Sequence, residues 1–216
     1  MFEKLKYTRL VTPGIFIYCL GFALGWATGW YSLTIPDSLE DLLKLALVIG
    51  LGALYNMTFC REIANRPFYS KVNNNLVVQL RAVLPEEKQS SITWKNVRSV
   101  FYKIVDSDPS LMRQSEMAYS NGALWTGAAD LRAISVVGLV VWHFAAVVGN
   151  QIEQVDLFWD RMLVLLWGLV IISIISLILS YLTTKRQIVI GNQQVEFILT
   201  HHREELREGL LRTLGS

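Results

Sequence analysis

The stretch "WDRMLVLLWGLVIISIISLILSYLT", residues 159–183, decides the fold class. From Met162 to Thr183 it carries no charged side chain, and about 20 apolar residues suffice for a helix to cross the hydrocarbon of a bilayer. Three more runs of the same kind precede it, at 14–35, 41–60 and 133–150. The whole chain agrees with them: 52% of its residues are hydrophobic, seven are Trp, and the mean hydropathy is +0.36. The reading is an all-α polytopic membrane protein with four transmembrane helices in two hairpins. The first run is too long for a cleaved leader and a second follows within a few residues, so it is expected to stay in the mature protein.

The flanks give the orientation. Lys4, Lys6 and Arg9 precede the first run, ten Lys and Arg lie in 61–132, and five more follow from Lys185 onward. Basic residues collect on the cytoplasmic side, so 1–13, 61–132 and 184–216 are placed there. The connectors "IPDSLED" and "GNQIEQVD" hold acids and no base, as short outward turns should. Asp160 and Arg161 lie close enough to the outer surface to snorkel. The compactness of the chain suggests a bacterial inner membrane.

The central insert is patterned. Phe68, Val72, Leu76, Leu80, Val83 and Leu84 share one helical stripe between Pro67, suited to a first turn, and Pro85. Trp94, Val97, Phe101, Ile104 and Val105 form a second stripe. In "DSDPSL" Asp108 reads as an N-cap and Pro109 as the first residue of a helix that rises into the third span, with Asn121 and Gly122 as its weakest point. In the tail, Gly191 and Asn192 suggest a short hairpin turn. Beyond them Val195, Ile198, Leu199, His202, Leu206 and Leu210 mark an amphipathic helix. It is expected to dock on the insert helices and complete a small cytoplasmic helical layer.

Several residues stand out as candidates for function. Gly21, Gly25 and Gly29, in "GFALGWATGW", form a ridge at four-residue spacing that lets two helices approach closely, within the chain or between copies. His143 is the ionisable side chain deep in the third span, and Ser173, Ser176 and Ser180 line one face of the fourth. Each has a plain structural role open to it, a hydrogen bond to its own or another helix. Each could also belong to a pore or gate in an oligomer. Lys95, Arg98 and Lys103, with Arg113 beyond Pro109, offer a wet basic face for a cytosolic protein or a small nucleotide. The insert balances those bases with seven acids, so direct nucleic-acid binding is not expected. The expected partners are membrane lipid and further copies of the chain.

No nucleophile elbow, zinc-protease motif, phosphate loop or dinucleotide glycine fingerprint occurs, so neither an enzyme nor a cofactor is expected. Cys19 and Cys60 are too few for a disulfide framework or a paired-cysteine zinc site, and no metal is expected. The adjacent His201 and His202 point to different sides of a helix. The layout resembles the small multi-span effectors with which prokaryotic antiviral systems depolarise an infected cell. That resemblance covers architecture only, and it implies a homo-oligomeric channel or membrane-perturbing effector governed by its cytoplasmic helices. The alternative is a membrane-anchored module that recruits a cytosolic partner.

Overall fold

A computed structural model describes residues 2–28, 39–149 and 155–215. Among the described residues the chain is all-α, without a strand. The helices are α1 (Phe2–Ala27), α2 (Leu39–Asn56), α3 (Cys60–Leu80), the short α4 (Glu86–Gln89), α5 (Trp94–Ser107), α6 (Pro109–Gly149), α7 (Val155–His201) and α8 (Arg203–Gly215). A 3₁₀ turn, Arg81–Val83, follows α3. Two stretches are long and apolar enough to cross a membrane, Pro109–Val148 in α6 and Phe158–His201 in α7. The apolar parts of the first two helices are shorter, Val11–Ala27 and Ala46–Asn56. The end of the expected first span, 29–35, lies outside the described residues, as do Gly29 and most of both acidic connectors.

The chain divides into two compact units. The first comprises Met1–Asn65 and Trp125–Ser180, the second Arg66–Leu124 and Tyr181–Ser216, so α3, α6 and α7 contribute to both.

In the first unit α1 packs on α2 at Gly14, where a Cβ would strike the carbonyl oxygen of Val48 and lie 3.0 Å from the amide nitrogen of Gly52. Only a residue without a side chain permits so close an approach of two backbones. A Cβ on Gly138 of α6 would sit 3.1 Å from both Leu20 of α1 and Leu169 of α7, which draws those three helices together. One end of this unit is aromatic. Ala27, Ala146, Phe158 and Met162 are buried there, flanked by Trp26, Trp142 and Trp159. Trp142 Nε1 donates to the carbonyl of Met162 at 2.7 Å, and the Arg161 guanidinium lies 5.3 Å over the Trp26 ring.

The second unit follows the helical periods of the insert. Val72, Leu76, Leu80, Val83 and Leu84 are buried, as are Val97, Phe101, Ile104 and Val105 of α5. Asp108 caps α6, its Oδ1 accepting from the amides of Ser110 at 2.7 Å and Leu111 at 3.2 Å. The helix expected to rise from Pro109 into the third span runs unbroken past Asn121 and Gly122. Two expectations need correction. α3 begins at Cys60, so Pro67 lies inside it and not in the first turn. Gly191 and Asn192 make no hairpin, because α7 runs through them to His201. A Cβ at 191 would stand 2.9 Å from Leu76, and Asn192 Oδ1 accepts from Asn75 at 2.6 Å and Gln79 at 2.7 Å. Those contacts with α3 override the local turn preference. α8 then packs on α5 and on the 3₁₀ turn. Within the tail pattern Val195 and Ile198 of α7, and Leu206 and Leu210 of α8, are fully buried.

Candidate functional site

The chemistry of the first unit is concentrated where α6 enters it. "GAADLRAIS", residues 127–135, supplies Asp130, Arg132 and Ser135 after three small residues that let neighbouring helices come near. Asp130 is only 1% exposed, and Arg61 of α3 grips it through both oxygens, Nε to Oδ1 at 2.6 Å and Nη2 to Oδ2 at 2.8 Å. The same guanidinium lies 5.7 Å over the ring of Tyr55, whose buried hydroxyl stands beside the carboxylate. Two parallel bonds fix the plane of the pair, which a lysine would not do.

One turn further along α6 the polar seam meets α7. Arg132 Nη1 donates to Ser180 Oγ at 2.7 Å, and its Nη2 reaches the carbonyl of Ala64. The hydroxyls of Ser135 and Ser173 lie 2.8 Å apart, and Ser176 donates to the Ser173 carbonyl of its own helix at 2.7 Å. The serine face of the fourth apolar run therefore points into the chain, where Ser176 and Ser180 are fully buried. Arg61, Asp130, Arg132 and Ser135 complete it. The four belong to no motif, and only the helical period of α6 itself, which carries Arg132 and Ser135, marks any of them in the sequence.

His143 does not join this seam. It lies exposed on α6 among exposed Val140, Val141, Phe144 and Val147, with the Phe144 ring edge-on at 6.3 Å. Gly21 also faces outward, since a Cβ there would meet nothing within 4 Å, whereas Gly25 is buried. In the second unit Lys95, Arg98 and Lys103 are exposed along α5, and Arg113 is exposed on α6. Of these, Lys103 lines a cleft of about 290 Å³ between α5 and α8, opposite Glu205, Glu208 and Arg212. Two carboxylates in that cleft oppose a polyanionic ligand. No family profile, curated protein or solved structure matches this chain.

Proposed function

We propose that the chain is a four-span membrane protein, with both termini and residues 61–132 in the cytoplasm, that assembles with copies of itself into a channel or membrane-perturbing effector governed by its cytoplasmic helices. The observation that carries this reading is His143. Its imidazole has no hydrogen-bond partner among the described residues and sits on an otherwise apolar exposed face. A polar group turned toward hydrocarbon is costly, and a second copy or a wetted axis removes that cost. Gly21 supports the same reading, because a Cβ there would meet nothing within 4 Å among the described residues, which leaves room for a neighbouring helix.

Dye-loaded liposomes test it, with the oligomeric state in nanodiscs measured on the same preparation. Reconstituted protein should release the dye, and His143→Ala should change that release while leaving the monomer folded. Gly21→Leu should weaken the assembly and leave monomer stability within about 0.5 kcal/mol, as for a surface position. A strict monomer that releases nothing would end the channel reading.

A second reading has its own support. Ser173, Ser176 and Ser180 are satisfied within one chain, which leaves an apolar bundle suited simply to anchor the cytoplasmic helices near a partner protein. For either reading, single cysteines in "PDSLED" and "NQIEQ" should react with an impermeant thiol reagent from outside, and a cysteine at position 88 should not. The opposite pattern would overturn the topology.

A further inference from the structure

Two of the turns between helices of the second unit meet at one side chain. α5 gives way to α6 at Asp108, and α7 gives way to α8 at His202. While Asp108 Oδ1 caps α6, its Oδ2 lies 3.2 Å from His202 Nε2. The other ring nitrogen, Nδ1, lies 3.4 Å from Glu205 Oε2 on the first turn of α8. The imidazole is 23% exposed, so it is partly shielded yet still in reach of protons from water. We propose that His202 is a proton-operated latch that ties the α5–α6 elbow to the α7–α8 elbow and is closed when the ring carries its second proton.

The cation gives the stronger contact to both carboxylates. A neutral imidazole has one N–H, so one nitrogen must turn a lone pair toward a carboxylate. Imidazolium removes that conflict: its Nε2–H donates to Asp108 as a charge-assisted bond, and its charge attracts the Glu205 carboxylate, which lies within ion-pair distance of Nδ1 at 3.4 Å. The bond to His202, followed by the amides of Ser110 and Leu111, holds the Asp108 carboxyl below the usual range. A depressed carboxylate contributes stability above its unfolded value, near pH 4, and loses it as the pH falls through the lower folded value. The latch therefore weakens at acid pH through Asp108, and it opens when the ring gives up its second proton.

The charged neighbours are few. Asp108 faces the ring from the α5–α6 elbow and Glu205 from α8. His201 lies across Phe197, whose ring centre is 4.5 Å from His201 and 6.2 Å from His202. Arg203 is exposed, and Arg207 pairs with Glu204 at 3.8 Å. The latch does not depend on whether the protein conducts.

Hydrogen exchange of the α8 amides from Leu206 to Leu210, in the full chain in nanodiscs and corrected for intrinsic rates, tests the latch at about pH 6 and pH 8. The parent should lose roughly threefold in protection at the higher pH, the scale of a partly exposed ion pair. His202→Gln should flatten that dependence. Asp108→Asn should reduce it while keeping the cap, since asparagine caps helices as well as aspartate does. His202→Lys should hold the more protected level at both pH values. Equal protection of the parent at both, or an unchanged pH dependence in His202→Gln, would overturn the latch. Should His202→Gln fail to fold, Asp108→Asn and His202→Lys decide it.

Discussion

Replacing Asp130 with alanine is expected to cost about 3–5 kcal/mol of stability, the cost of breaking a buried ion pair by removing one partner. The carboxylate is 1% exposed and held at both oxygens by Arg61, so its loss strands a guanidinium among α2, α3 and α6. Arg61 is 22% exposed and can draw some water, which places the result toward the lower end of that range. Arg61→Met combined with Asp130→Leu should recover most of the loss, because an apolar pair of similar volume removes both desolvation costs. Asp130→Asn should fall between, since its amide keeps the shape but turns a donor toward Arg61. Chemical unfolding of these four proteins in mixed micelles measures the losses, and adding Arg61→Met and Asp130→Leu alone completes a double-mutant cycle. If Asp130→Ala unfolds within about 0.5 kcal/mol of the parent, the pair contributes nothing and the seam is not organised around it.

Why that pair escaped the sequence while much else did not is a matter of distance along the chain. Local signals worked. Asp108 followed by Pro109 marked the start of α6, and the helical stripes of the insert named most of the residues that α3 and α5 bury, missing Asn73 and Val100 and including Phe68 and Trp94, which are half-buried. Partners far apart in sequence leave no such mark: Arg61 and Asp130 are separated by 69 residues, and no period connects them. One further signal was present. Moving back from Ala146 along α6 in steps of three and four residues passes Trp142, Gly138, Ser135, Arg132, Ala128 and Trp125, so Arg132 sits on the inner face of its helix. Treating it only as a basic flank hid that position. Asn192 failed in the opposite direction. Its turn preference is real, but two amides of α3 satisfy its side chain inside a helix.

Gly14 should prove the least replaceable glycine among those described. Any β-carbon there meets the backbone of Val48 and Gly52, and backbone atoms cannot rotate aside as a leucine tip can. α1 and α2 would have to separate along their contact, so Gly14→Ala should cost about 1–3 kcal/mol, the range for overpacking, and Gly14→Leu more. For a chain of this size each kcal/mol lowers the melting temperature by about 2–4 °C. Gly50 of α2 supplies the control, because a β-carbon on it meets nothing within 4 Å. Gly50→Leu should melt as the parent does. Gly21→Leu should also leave the monomer unchanged, and it separates two uses of glycine on α1: Gly14 holds the hairpin together, and Gly21 is left for a neighbour. Melting curves in nanodiscs, read beside the oligomeric state, distinguish them. A Gly14→Leu protein that melts with the parent would mean that α1 and α2 do not meet at this point, and the hairpin on which the four-span reading depends would fall with it.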